Sequence, residues 1–270
     1  MNAVRTGSDT SQFDKADIAA SFSKAALSYD SVAELQRQVG FDLLEKLPQS
    51  DAAVVVDLGC GTGFFGPHLQ RKLQPDHLIS IDLAPGMLQY ARAHRDIEQG
   101  SWLCGDAEAL PLADNSVDLI FSSLAIQWCE NLPALFTEVS RVLRPGGRFL
   151  FSTLGPHTLH ELRDAWSTVD KYQHVNRFVS YRTLSDFADQ YFDQVTIAEQ
   201  ERVLLYGELR ELTTELKGIG AHNISAGRQE GLTGKARIVA FKQAYEQFRR
   251  SGDGKLPATY QVFYGELING

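Results

Sequence analysis

The sequence predicts an α/β protein whose mostly parallel sheet is covered by helices on both faces. Three observations carry that reading. Strand-like and helix-like segments alternate between residues 54 and 153. The first strand ends in the glycine-rich turn Asp57-Leu58-Gly59-Cys60-Gly61-Thr62-Gly63. That turn runs straight into an amphipathic segment, the order expected where a buried strand becomes a helix.

Taken in chain order, residues 1–14 are expected to be a flexible tail from their polar composition, and they lack the basic-then-apolar order of a signal peptide. Helices are predicted at 17–26 and 31–47, the second from Val32, Leu35, Val39, Leu43 and Leu47 at helical spacing. Strands follow at 54–57, 78–82, 101–104, 117–122 and 148–153, with helices at 63–73, 84–94 and 133–142 between them. Arg144-Pro145-Gly146-Gly147 stops the third of these helices and turns into the fifth strand. The second half changes character. Helical pieces at 159–169 and 183–189 precede a long strand at 194–205, and helices at 208–219 and 233–248 precede a last strand at 259–267. The organisation expected is one domain over 15–270, with N-terminal helices at 15–50 and lid insertions for the substrate at 155–192 and 206–256.

Composition excludes several function classes. A chain of 270 residues with 43% hydrophobic and 22% charged residues is ordinary for a globular protein. No apolar run approaches the ~20 residues of a membrane span. A net charge of −8 argues against nucleic-acid binding. Cys60, Cys104 and Cys129 lie in apolar or glycine-rich surroundings without metal-ligand spacing, so they read as buried thiols and the cytoplasm as the compartment. Between residues 228 and 255 seven basic residues face three acids, an excess of +4 that is either a solvated helix face or a docking surface for an acidic partner.

The glycine turn admits two ligand classes. Gly61-x-Gly63-x-x-Gly66 satisfies a dinucleotide fingerprint, with Asp82 near the distance of a ribose-binding acid. Asp57, immediately before the glycines, would stand beside a pyrophosphate at electrostatic cost. S-adenosylmethionine instead offers an ammonium and a sulfonium, which a carboxylate favours. Asp82 ends the second strand, placed for ribose hydroxyls, and Asp106 ends the third, placed for the adenine amine. Three acids at three successive strand ends favour S-adenosylmethionine. Each also has a plainer reading, Asp82 as a helix N-cap and Asp106 as a turn residue.

The methyl acceptor is less legible. The stretch Ser122-Ser123-Leu124-Ala125-Ile126-Gln127-Trp128 lacks the turn used by nucleobase-amine methylation, and no acid cluster suggests a metal. A phenol would want a base, with His157, His160, His174 and His222 as candidates. A carboxylate needs none, only a cation to hold it. Arg177 stands among apolar and aromatic residues and is either that cation or half of a structural salt bridge.

At this point the chain resembles the malonyl-[acyl-carrier protein] O-methyltransferases of biotin synthesis, among the class I methyltransferases. The residues that carry the resemblance are Ile18-Ala19-Ala20-Ser21-Phe22-Ser23-Lys24-Ala25-Ala26, Ser28-Tyr29-Asp30 and Ala33-Glu34-Leu35-Gln36-Arg37-Gln38. Further on come the glycine turn, Leu124-Ala125-Ile126-Gln127-Trp128-Cys129, Ala165-Trp166, Asn176-Arg177-Phe178 and Leu256-Pro257-Ala258-Thr259-Tyr260. Leu216-Lys217-Gly218-Ile219-Gly220-Ala221-His222-Asn223 is the least generic.

The resemblance implies a Rossmann-like fold with seven strands, the last antiparallel, and S-adenosylmethionine-dependent methylation of the free carboxylate of a malonyl thioester. The methyl ester then primes pimelate formation. Asp57, Gly59, Gly61 and Gly63 are expected around the methionine moiety, and Asp82 on the ribose. Leu83, Met87, Asp106 and Ala107 are expected at the adenosine, with Ser122 also in the binding set. Tyr29 would reach over the sulfonium, Arg177 would hold the carboxylate, and Phe178 and Trp128 would exclude water. Acyl-carrier protein is the implied partner, docking on Arg228, Lys235, Arg237, Lys242 and Arg249. Alternatives are a methyltransferase for another small acid or quinone, a nicotinamide-dependent dehydrogenase and a non-catalytic S-adenosylmethionine-binding partner.

Overall fold

A computed structural model of the chain describes residues 14–48, 51–220 and 234–270. The expected tail up to residue 13, His222 and Arg228 therefore lie outside the described residues. Seven strands form one sheet: β1 (Val54–Leu58), β2 (His77–Asp82), β3 (Gly100–Cys104), β4 (Val117–Ser123), β5 (Leu143–Leu154), β6 (Gln194–Tyr206) and β7 (Leu256–Ile268). Their order is β3-β2-β1-β4-β5-β7-β6, with β7 antiparallel to both neighbours and the first five strands parallel. β1 is hydrophobic throughout except Asp57, as a strand covered on both faces must be.

Nine helices are described: α1 (Lys15–Val32), α2 (Glu34–Glu45), α3 (Gly66–Leu73), α4 (Pro85–His94), α5 (Leu132–Val142), α6 (His160–Ser167), α7 (Tyr181–Ala188), α8 (Leu209–Gly218) and α9 (Lys235–Tyr245). Leu35, Val39 and Leu43 of α2, Leu69 of α3, Leu162 of α6, Leu212 of α8 and Tyr245 of α9 are buried in one core with Val55, Leu119 and Leu150. Leu135, Phe136 and Val139 of α5 and Leu184 of α7 share the other core with Val56, Ile120 and Phe149. Each such side chain contributes about 1.5–3 kcal/mol by leaving water.

Two expectations are corrected. The first predicted helix ends at 26, but α1 runs through Val32 and breaks only at Ala33, where ψ is 51°. Asp14 caps it by accepting from Ala16 N at 2.7 Å. Cys104 is exposed rather than buried because β3 is the sheet edge, and Cys129 is only half-buried. The register also explains the Arg144-Pro145-Gly146-Gly147 turn. Val117 pairs with Leu143 and Leu119 with Arg148, so these four residues stand out of the ladder opposite Asp118 alone.

What positions the site is the reversal of strand order between β1 and β4. In open α/β sheets the crevice outside the strands' carboxyl ends at such a point receives the ligand. Here α1 lies across it. Ala26 of α1 packs with Ala84, the N-cap of α4, and with Met87 of that helix, and Ser23 Oγ accepts from Gly86 N at 3.1 Å. A side chain at Gly86 would meet Ser23 at under 3 Å, so only glycine lets the two helices approach this closely.

Candidate functional site

The turn after β1 is held by backbone bonds to the neighbouring strand. Gly59 N and Cys60 N donate to Ile81 O at 2.7 and 3.0 Å, and Gly61 N donates to Asp82 Oδ2 at 2.8 Å. Gly59 and Gly61 both adopt positive φ, at 71° and 53°. A Cβ on Gly59 would sit 2.2 Å from the Cβ of Ala125, whereas one on Gly61 would enter open space. The turn is thus a cradle with its empty side at Gly61. Gly63 (φ 69°) does not line the cleft described below; its bare Cα is needed where Trp102 and Ala91 pack against it.

Asp57, the penultimate residue of β1, is only 3% exposed, and its Oδ2 is buried without a hydrogen-bond partner. Burial, reinforced by the charge of Asp82, pushes its carboxyl up to about 7. An acid held this way gains most from a cationic ligand. Burial also raises Asp82, against the two backbone amides of Gly61 and Ala84 that donate to it at 2.8 and 2.7 Å.

A cleft of about 800 Å³ opens over these groups. It is lined by Tyr29, Gly59, Gly61, Asp82, Leu83, Met87, Asp106, Ala107, Ser122 and Trp128, all foreseen in the sequence, and by Lys15, Ile18, Phe22, Glu108, Leu124 and Ala125, which were not. Ser122 spends its hydroxyl on Leu58 O at 2.8 Å, tying β4 to β1. Asp106 shares its carboxylate. Lys15 Nζ lies 2.5 Å from its Oδ2 and 2.7 Å from Glu108 Oε2, so the first residue of α1 crosses to the far rim.

Two further cavities meet the cleft. One, about 490 Å³, continues past the glycine turn along Asp57, Thr62, Gln36 and Arg37. The other is a chamber of about 620 Å³ under α8, walled by Leu35, Leu124, Trp128, Leu159, Phe178 and Tyr260. Tyr29 lines all three. Burial, then the charges of Asp82 and Asp30, raise the Tyr29 hydroxyl above its ordinary range, so it is a donor and not a base. Phe22 and Trp128 stand edge to face, ring centroids 5.2 Å apart, between cleft and chamber. Among the described residues the chamber lining contains no histidine; its one carboxyl there, Glu215, is raised by burial and accepts from Tyr206 Oη at 3.0 Å.

Comparison with known proteins decides the family. The malonyl-[acyl-carrier protein] O-methyltransferase of Gallionella capsiferriformans is 44% identical over 262 residues, which cover 93% of this chain and 90% of that one. The chain belongs to this methyltransferase family. Residues 56–151 also match the model of a methyltransferase domain, Methyltransf_11. The biotin biosynthesis bifunctional protein BioHC of Cellvibrio japonicus is 51% identical over 253 residues, 93% of this chain. The chain spans about half the length of that bifunctional relative. Among solved structures, YcgJ of Bacillus subtilis superposes with a TM-score of 0.62 at 17% identity, covering 86% of this chain and 98% of that one, which shows the shared Rossmann-like fold.

Membership in the methyltransferase family removes the dinucleotide reading of Gly61-x-Gly63-x-x-Gly66. Gly66 opens α3 where a Cβ would lie 2.4 Å from Ile97 Cδ1, so packing alone requires it. Arg177 is not brought into the chamber: it is exposed and lines an outer cleft with Ile126, Gln127, Glu130 and Val179, while its neighbours Asn176 and Phe178 face the chamber. Side chains alternate along this segment, with 176 and 178 on the inner side and 177 and 179 on the outer. In the basic stretch, Arg237 pairs with Asp170 and Arg249 with Glu246, leaving Lys235 and Lys242 exposed on α9. No helix among the described residues is long and apolar enough to cross a membrane.

Signals for the missed residues were weak. Lys15 meets Asp106 across 91 positions, a contact no local pattern announces. Gln36 and Arg37 stood in the resemblance but carried no assigned role.

Proposed function

We propose that this chain methylates the free carboxylate of malonyl-acyl-carrier protein, with S-adenosylmethionine as the methyl donor, in the biotin pathway. The observation that carries the reading is the position of Tyr29, where the cleft, the pocket past the glycine turn and the apolar chamber meet. A donor in the cleft and an acceptor in the chamber would face each other there.

The residues fit the donor. Asp57 offers an unpartnered buried carboxylate oxygen to an ammonium, Gly61 leaves a space that any Cβ would fill, and Asp82 offers its free lone pairs to ribose hydroxyls. Leu83, Met87 and Ala107 give the adenosine an apolar bed, with Asp106 and Lys15 at its rim. When bound, S-adenosylmethionine supplies an electrophilic methyl group on a sulfonium.

The chain's own residues supply alignment and dryness. A malonyl carboxylate is ionised at neutral pH and is itself the nucleophile, so it needs no base. Leu124, Trp128 and Phe178 keep water from that carboxylate, which strengthens the hydrogen bonds made to it. Tyr29, held protonated, donates to one carboxylate oxygen and leaves the other free to react. Holding two reactants in line supplies about 7–11 kcal/mol of the barrier, so no covalent catalysis is needed. Arg177 draws the anionic substrate and its acidic carrier toward the outer cleft, and Lys235 and Lys242 add to that field. Transfer of labelled methyl from S-adenosylmethionine to purified malonyl-carrier protein tests the reading; label on the acetyl or unloaded carrier alone would oppose it.

A further inference from the structure

We propose that Gln36 and Arg37 form the subsite for the amino-acid end of the methyl donor: Gln36, lining one pocket with Asp57, on the ammonium, and Arg37 on the carboxylate. The inference rests on the methyl-donor reading above and assigns two residues that it leaves without a role.

The pocket past the glycine turn joins the cleft at Tyr29, Gly59 and Gly61, and its far wall comes from α2. Seven buried side-chain polar atoms among the described residues lack a hydrogen-bond partner, and two of them, Asp57 Oδ2 and Gln36 Oε1, line this one pocket. Both are acceptors. Leaving such groups unpaired is costly, and an ammonium with three N–H donors satisfies both at once. Among the described residues the one basic side chain lining the pocket is Arg37; Arg95, at the end of α4, is engaged with Asp30 and Thr62 O.

Arg37 stands next in sequence. It spends one N–H on Asp30 O at 2.6 Å and one on Glu34 Oε2 at 2.8 Å. A guanidinium carries five donors, so three remain, and their planar fork suits a carboxylate. An acid-and-amide pair with an arginine beside it is a receptor for a zwitterion. It would distinguish an α-amino-acid thioether from the same nucleoside without the amino acid.

The test is isothermal titration of the full chain and its Gln36→Met and Arg37→Gln variants with S-adenosylhomocysteine and with 5′-methylthioadenosine, which lacks the amino acid. Expected is a loss of about ten-fold or more in affinity for S-adenosylhomocysteine, while methylthioadenosine binds as to wild type and so reports an intact cleft. Affinity for S-adenosylhomocysteine unchanged in both variants would overturn the inference. So would a matching loss for both ligands, or a rise in the malonyl KM alone for Gln36→Met, since Gln36 also borders the chamber. A wild-type chain that binds neither ligand would instead overturn the methyl-donor reading itself.

Discussion

Thr62, inside the glycine turn, donates its hydroxyl to Asp30 at 2.6 Å, one residue beyond Tyr29 on α1. Arg95 completes the knot by pairing with the same carboxylate and donating to Thr62 O at 3.0 Å. Through this contact the floor of the cleft fixes the residue that roofs it.

Thr62→Val keeps the volume and deletes the bond. Asp30 retains Arg95, so the fold should survive with a loss of about 1–2 kcal/mol. Because Tyr29 loses its tether, turnover is expected to fall about ten-fold while affinity for S-adenosylhomocysteine changes less. Thermal melts and steady-state kinetics check this; unchanged turnover would mean that α1 is positioned by its packing on α4 alone.

Two glycine substitutions separate packing from binding. In Gly59→Ala the new methyl collides with Ala125 at 2.2 Å, so the turn itself must shift and the protein should lose stability. In Gly61→Ala nothing in the protein is touched. That variant pays only the strain of a positive φ, about 1 kcal/mol, and should melt near wild type yet bind S-adenosylhomocysteine far more weakly. Equal binding would place the ligand elsewhere.

Asp57 predicts a pH dependence. Its folded pKa, about 7, lies above the ordinary carboxylate value, so the ligand-free fold binds a proton more tightly than the unfolded chain. The contribution of this group to stability is full below pH ~4 and is lost as pH rises through 7. An ammonium ligand restores what ionisation costs, so affinity for S-adenosylhomocysteine should rise by about ten-fold in all between pH 6 and 8, levelling off above 7. Asp57→Asn should flatten that slope and raise the ligand-free Tm at pH 8. Calorimetry across the range decides it.

Arg177 and Phe178 are neighbours on opposite sides of one segment. Phe178→Ala opens the chamber and should raise the malonyl KM and lower turnover together, with donor affinity intact. Arg177→Ala should raise KM chiefly at low ionic strength, because an exposed cation acts by steering. A collapse of turnover in Arg177→Ala at all salt concentrations would return it to the carboxylate.

The strand ends were readable because their chemistry is local. Asp82 closes β2, Asp57 is the penultimate residue of β1 and Asp106 lies two residues past β3, so period and spacing suffice to bring them to the same end of the sheet. The glycines were readable as a turn, but sequence could not say that Gly61 faces open space while Gly63 faces Trp102; both have the same φ sign and the same spacing. The roof of the site was not legible. Lys15 reaches Asp106 only because α1 folds back over the strand ends, and Arg177 leaves the chamber only through the alternation of residues 176–178. Such placements depend on tertiary direction, which composition around a residue does not encode.

The central claim is that the carboxylate of the malonyl group accepts the methyl. Intact-protein mass spectrometry of malonyl-acyl-carrier protein after incubation with the chain and S-adenosylmethionine tests it most directly, with fragmentation of the prosthetic arm to locate the added mass. The account predicts one methyl group gained on the malonyl unit and none on acetyl-acyl-carrier protein. An unmodified malonyl carrier, or a methyl found equally on the acetyl carrier, would contradict it.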